Sequence, residues 1–343
     1  MGEAKIRNMD EFAAICGISR PTLSKYFNNP DSVRRTTKER IEQALDQHDY
    51  RPNVFAMNQN RRRTKNVGIV VPYLADPFFT EIGRAVELAC IDAGYRPILL
   101  SSHGSVSQEI ENLESLRSLK PAGVLLAPIG RTSDRKVIES FGKEVPLVLF
   151  DANIENTGEA FIGTDHFQSI DLIVEYLCRS GEPPCFFEMK TPSNPNALKR
   201  RQAYLESMDQ HGVTPHIFQA EGEGWEFEEI GSAEGGRMLS ESAFPTNTIL
   251  CSNDRLAIGL LSAAYRQKIS VGHEQGCSLR VAGHDDHPFA RYTCPSLTTI
   301  AQDYTAIADC AVSSLFDRLE SGDSPKARTE TLFSGNLIMR SSA

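Results

Sequence analysis

No stretch of the chain approaches about 18 continuous apolar residues, and the opening MGEAKIRNMDEFAAI has no apolar signal core. The expectation is a cytoplasmic protein, neither exported nor membrane-spanning. Ile6 stands where a myristoylation start needs Ser or Thr. The 8 cysteines fall singly from Cys16 to Cys310 with no C-x-x-C, which suggests neither a zinc ribbon nor a disulfide framework and leads us to expect no metal. Also absent are G-x-S-x-G, H-E-x-x-H, a Walker loop and a clear G-x-G-x-x-G. The scattered His and Asp residues offer no defensible acid–base pair, so neither catalysis nor a cofactor is expected. Tryptophan occurs once, as Trp225. There is no tandem repeat and no low-complexity tract.

What is present is divided by charge. The 343 residues suffice for about two or three compact units. Residues 1–65 hold 13 Lys/Arg against 8 Asp/Glu, a balance of +5, and the remainder holds 23 against 37, a balance of −14. A basic module that attracts phosphates on an acidic body that repels them fits this asymmetry. Uneven surface charge alone is the plainer alternative.

Residues 6–50 read as three short helices. The first runs from about Met9 to Ile15, with Phe12, Ala13 and Ile15 on its apolar side. Gly17 interrupts it. Ser19 is a good N-cap for the second, RPTLSKYF, where Pro21 is tolerated in the first turn. The third follows Thr36 or Thr37, with Ile41, Ala44 and Leu45 at helical spacing. Tyr50-Arg51-Pro52-Asn53 reads as a stop. From Asn66 onward short apolar runs (VGIVVP, PILLSS, GVLLAP, PLVLFD) alternate with helical segments, which predicts a parallel sheet covered on both faces. The alternation continues through CFFEM, HIFQA, TNTILCS and LRVAGHD, predicting a second such sheet. LTTIAQD, a long helix, TETLF and GNLIMR close the chain.

Two parts resemble one family. MDEFAAICGISRPTLSKYFNNPDSVRRTTKERIEQALDQHDYRPN resembles the headpiece of the lactose-repressor (LacI/GalR) family. VGIVVPYLADPFF, SNDRLAIG and VAGHDD…PSLTTIAQD resemble that family's effector domain, related to periplasmic sugar-binding proteins. The resemblance implies an N-terminal all-α helix-turn-helix headpiece plus an α/β periplasmic-binding-protein-like effector domain of two parallel-sheet lobes. It implies a headpiece over 1–52, a hinge helix and linker over 53–65, and an effector-binding and dimerisation domain over 66–343. One lobe is expected over about 66–163 and 297–325, the other over about 164–296 and 326–343.

The second helix of a helix-turn-helix enters the major groove, where its N-terminal residues meet base edges. The resemblance assigns base reading to Arg20, Pro21 and Lys25. Both cations can donate to guanine O6 and N7, and Pro21 offers only apolar or shape contact. Ser19, Thr22, Ser24 and Asn28 are expected at phosphates. Taken alone, Arg20 and Lys25 read first as solvated helix charges, and the surrounding motif reverses that preference. In relatives a hinge helix pairs with its twin in the minor groove and an inserted Leu kinks the duplex. Asn53, Ala56, Met57 and Gln59 occupy that segment here. Gln59 replaces the Leu and Met57 the usual Arg, which puts intercalation in doubt. Arg61, Arg62, Arg63 and Lys65 track phosphate or form a solvated linker.

For the effector, sugars present CH faces to rings and hydroxyls to paired polar groups. Phe78 and Phe79 follow the first strand, at the end where ligands collect in open α/β sheets. Trp225 sits in a glycine-flanked loop, as an effector cover or as core. Asp76, Asp151, Arg200, Asn253, Asp285 and Gln302 fall on the family's polar contact positions. Asp254 is read as a helix cap. Ala152 and His284 depart from the Arg and Tyr common in relatives. The implied partners are a near-palindromic double-stranded operator, a sugar-like effector and a second copy in a homodimer, with no membrane. A transport-type solute-binding protein and an enzyme are the rival readings.

Overall fold

The computed structural model describes residues 6, 8–48, 50–51, 63–193, 195–321 and 327–343. Two compact units, Met1–Thr64 and Lys65–Ala343, divide the chain. The expected hinge contacts Asn53, Ala56, Met57 and Gln59, with Arg61 and Arg62, lie outside the described residues. Lys65, read as linker, already belongs to the second unit, where its carbonyl accepts from Arg96 N.

In the first unit α1 (Met9–Cys16), α2 (Arg20–Asn28) and α3 (Arg35–Gln47) enclose a small core of Phe12, Ala13, Cys16, Leu23, Tyr26, Ile41, Ala44 and Tyr50. Asn8 caps α1 by accepting from Glu11 N at 2.9 Å. Gly17 ends it at φ 61°, where glycine has no Cβ penalty. There Arg40 of α3 donates to the carbonyls of Cys16 (2.6 Å) and Gly17 (3.1 Å), groups the helix leaves orphaned. The expected apolar face of α1 was off by one residue. Cys16 is buried and Ile15 is 46% exposed, because α1 runs one position further than its periodicity suggested. The third helix likewise starts earlier than Thr36, at Arg35, and without a side-chain cap.

The second unit alternates strand and helix: β1 (Asn66–Val71), α4 (Pro77–Asp92), β2 (Arg96–Ser101), α5 (Val106–Ser118), β3 (Gly123–Leu126), α6 (Arg135–Glu144), β4 (Leu147–Phe150) and β5 (Ala160–Asp165). These continue into α7 (His166–Ser180), β6 (Cys185–Met189), α8 (Ala197–Gln210), β7 (Ile217–Ala220), α9 (Phe227–Ser240), β8 (Thr248–Cys251), α10 (Asp254–Arg266) and β9 (Arg280–Ala282). Last come β10 (Thr299–Ala301), α11 (Tyr304–Glu320), β11 (Thr329–Ser334) and β12 (Asn336–Ile338). The first sheet has the order β11-β5-β4-β3-β1-β2 and the second β7-β6-β8-β9, with all pairings parallel.

Strand β1 shows why a continuous apolar run suits such a sheet. Val67, Ile69 and Val71 pack on one face with Phe79, Ile82 and Val86 of α4. Val70 packs on the other with Leu113 and Leu116 of α5. Each such side chain contributes about 1.5–3 kcal/mol on burial. Gly68 shares the α5 face, where a Cβ would meet Leu116 Cδ1 at 2.6 Å.

The chain passes between the lobes at Thr164–His166, between β9 and α11, and at Gly335. The expected lobe division needs two corrections. Strand β10, placed in the first lobe, pairs antiparallel with β12, and its segment bridges to Ala282 and Asp285 in the second. Residues 329–334, placed in the second lobe, form β11 and pair in parallel with β5 at the edge of the first sheet. Only the residues after Gly335 return to the second lobe, where Ser342 hydroxyl donates to Val281 O and Tyr176 hydroxyl to Ala343 O. A short, largely exposed edge strand carries no pattern that names its neighbour.

Candidate nucleic-acid interface and ligand cleft

The amino end of α2 is held in place locally. Ser19 hydroxyl accepts from Thr22 N (3.3 Å) and lies 2.8 Å from Thr22 hydroxyl. Leu23 and Tyr26 point into the core, as their spacing requires. Arg20, Pro21 and Lys25 are left on the exposed side with Ser19, and Thr22 and Ser24 are half-buried. Arg20 reaches Asp10 at 3.3 Å with both side chains more than half exposed, so the pair is weak. Lys25 has no ion-pair partner among the described residues.

In the second unit the polar residues converge where the crossing segments meet. Arg200, on α8 and 2% exposed, forks onto Asp285: Nη2 donates to Oδ1 at 2.6 Å and Nη1 lies 3.4 Å from Oδ2. Its Nη1 also donates to Ser252 O at 2.8 Å. Gln302 Nε2 (2.8 Å) and His284 Nδ1 (2.9 Å) donate to the same Asp285 Oδ1. Thr164 hydroxyl donates to Gln302 Oε1, tying the first crossing to the second. Burial works to raise the Asp285 carboxyl, but Arg200 and the His284 ring outweigh it and hold the group below its ordinary range. Asp285 therefore stays ionised and can accept from ligand hydroxyls.

Asp151 follows β4 at φ 61° and accepts from Asn196 Nδ2 at 2.8 Å. Burial pushes its carboxyl up to about 7 against the pull of Lys199 and Arg200. Asp76 caps α4 by accepting from Phe78 N (2.9 Å), and its other oxygen meets Arg255 of the opposite lobe at 3.1 Å. Arg255 also forks onto Glu228 at 2.7 and 2.6 Å and lies 5.1 Å from the Phe227 ring centroid. The lobes are thus joined by an Asp76–Arg255–Glu228 bridge.

Asn253, expected at the ligand, serves as the N-cap of α10, its Oδ1 accepting from Leu256 N at 2.8 Å. The capping role given to Asp254 therefore belongs one residue earlier. Asp254 is buried and accepts from Thr299 hydroxyl (2.6 Å) and His287 N (2.7 Å), fixing the second crossing. Asp285 caps no helix.

Among the rings, Phe78 packs edge-on to Tyr304 at 5.4 Å, and Tyr304 hydroxyl donates to Asp285 O, so the aromatic and polar groups touch. Phe79, 1% exposed, lies in the core in line with Ile82 and Val86, which leaves it little face for a ligand. Trp225 stacks on Tyr73 at 4.9 Å and 12°. Sequence reasoning missed Arg255, Glu228, Asn196, Lys199 and Thr164. Arg255 was within reach, since it lies in the SNDRLAIG motif beside Asp254.

Two family models match the chain: bacterial regulatory proteins of the lacI family over residues 8–53, and a periplasmic binding protein-like domain over residues 176–343. The NTD biosynthesis operon regulator NtdR of Bacillus subtilis is 25% identical over 97% of this chain and 99% of that protein. The ribose operon repressor of Escherichia coli is 25% identical over 91% and 92%. In fold, the chain is similar to a lac repressor dimer bound to operator and the anti-inducer ONPF, with TM-score 0.84, 21% identity and 99% of each chain covered. Among the described residues no helix is long and apolar enough to cross a membrane. The chain thus joins a lacI-family regulatory domain over residues 8–53 to a periplasmic binding protein-like domain over residues 176–343.

Proposed function

We propose that the protein is a sequence-specific DNA-binding transcriptional repressor, controlled by a small polyhydroxylated effector held between its two lobes. The observation that carries this reading is the joining of two devices in one chain. An exposed Arg20-Pro21-Lys25 edge stands on a packed three-helix core, and a buried Arg200–Asp285–Gln302 cluster stands at the crossing segments. The first suits base edges in a major groove. The second suits vicinal hydroxyls, with carboxylates accepting and a guanidinium donating.

Relatives named for the ribose operon and for an operon regulator support the sugar-like class and the regulatory role. The similar lac repressor structure is a dimer on operator, which supports a homodimer reading a near-palindromic site in the cytoplasm. Effector shifts DNA affinity only through unequal affinity for two lobe arrangements.

The test is a gel shift on DNA fragments selected by the wild type. Arg20→Ala and Lys25→Ala are each expected to relax base preference and to weaken specific binding by about 1–3 kcal/mol. Unchanged sequence preference in both variants removes these residues from base reading.

A further inference from the structure

A second polar region lies outward of the Arg200–Asp285 cluster. It is a cavity of about 340 Å³ walled by both lobes, with His103, Gly104, Arg131 and Thr132 on one side and Ser193 and Trp225 on the other. The cavity adjoins the inner cluster. Its lining residue Pro195 precedes Asn196, which bonds Asp151, and Trp225 packs against Phe79 at 6.1 Å.

The two regions have opposite chemistry. The inner one is rich in carboxylates: Asp76, Asp151, Glu228 and Asp285. None of the described residues lining the outer cavity is Asp or Glu. What they offer is donors. Arg131 is exposed and has no ion-pair partner among the described residues. The Trp225 indole N–H makes no hydrogen bond among them, and the ring is held by its stack on Tyr73. His103 stands at φ 50° in a tight turn, edge-on to Tyr73 at 6.5 Å. Gly104 lets that turn approach the indole, since a Cβ there would fall 2.9 Å from Trp225 Nε1.

The wall that carries Arg131 is anchored from within. Glu109, 1% exposed, accepts from Ile129 N at 2.9 Å and so fixes the start of the segment. In a body whose balance is −14, a carboxylate-free cavity with an unpaired guanidinium, an imidazole and a free indole N–H suits an acceptor-rich, negatively charged group.

We propose that this cavity is a subsite for an acidic substituent of the effector, so that the ligand is a polyhydroxylated molecule bearing a phosphate or carboxylate at the end remote from Asp285. The proposal rests on the reading of the cleft as the effector site. Hydroxyls meet the inner carboxylates and Arg200, and the anion meets Arg131, His103 and the Trp225 N–H.

Calorimetry on the full chain tests this with matched probes: glucose against glucose 6-phosphate and gluconate, and ribose against ribose 5-phosphate and ribonate. At least one acidic probe is expected to bind about tenfold or more tighter than its neutral parent. Comparing the phosphates with the carboxylates identifies which anion the subsite takes. Arg131→Ala, at an exposed position, is expected to erase the acidic advantage and leave the neutral parent's affinity unchanged, with Arg131→Lys recovering part of it. Equal or weaker binding of every acidic probe, or an advantage that survives Arg131→Ala, overturns the subsite while leaving the effector site standing. Arg200→Ala is expected to abolish binding of neutral and acidic probes alike. Binding of both classes that survives Arg200→Ala instead overturns the effector-site reading beneath it, and failure of every probe to bind the wild type overturns both.

Discussion

Asp254 couples the crossing segments to pH. Its carboxyl is pushed up to about 8, chiefly by burial and then by Asp285, although Thr299 and His287 both donate to it. A carboxyl raised above its ordinary 3.8 binds its proton more tightly in the native state. Its contribution to stability is full below the ordinary value and is lost as pH rises through about 8. Asp254→Asn keeps one acceptor for His287 N and cannot ionise. Relative to wild type, its Tm is expected to rise by several degrees between pH 5 and pH 9, read by thermal denaturation across that range. A Tm difference constant with pH contradicts this. Arg200→Ala leaves the Asp285 charge buried with its fork removed, and it is expected to cost about 3–5 kcal/mol in urea denaturation. A loss under about 1 kcal/mol would show the pair to be solvated. Asp285 and Gln302 were legible because they sit in the VAGHDD…PSLTTIAQD motif, and Arg200 through the family's polar contact positions. Their mutual bonds were not, nor was the Asp76–Arg255 contact, whose partners lie 179 positions apart. Side-chain convergence of that kind is set by tertiary packing, which local spacing does not encode.

Helices were read well where capping chemistry is local and less well where a single residue decides the face. Ser19 and Gly17 announce their turns through a capping hydroxyl and a residue without a Cβ, whereas the Asn8 cap of α1 emerged only in the structure. Ile15 and Cys16 exchanged roles because the expected helix stopped short of Cys16, which falls between Phe12 and Ala13 on the helix surface while Ile15 points away. Both parallel sheets followed from apolar runs alternating with helices, and the lobe assignment failed at β11, an edge strand with little burial, and at β10, a three-residue strand that pairs with β12. At α2, Ser19→Ala removes the bond to Thr22 N. It is expected to lower headpiece stability by about 1 kcal/mol and to weaken DNA binding in proportion. The check is melting of the headpiece transition followed by circular dichroism. An unchanged transition together with weakened DNA binding would assign Ser19 to phosphate contact rather than to capping.

Across the whole body, the Asp76–Arg255–Glu228 bridge sets how readily the lobes part. Arg255→Met, which keeps the stem over Phe227 and removes the charge, is expected to raise amide hydrogen exchange at the first turns of α4 and α10 severalfold without effector. Unchanged exchange would mean the bridge does not restrain the lobes. In the proposed function, lobe arrangement is the variable through which a bound effector changes DNA affinity. That linkage is reciprocal: if effector changes DNA affinity by a given factor, DNA changes effector affinity by the same factor. The most direct measurement is therefore a pair of titrations on the full chain. Fluorescence anisotropy of a selected operator duplex is followed with and without a saturating effector, and calorimetry of that effector is followed with and without the duplex. The account predicts equal factors of about 5–150 in the two experiments. Effector binding that leaves operator affinity unchanged, with DNA likewise leaving effector affinity unchanged, contradicts it.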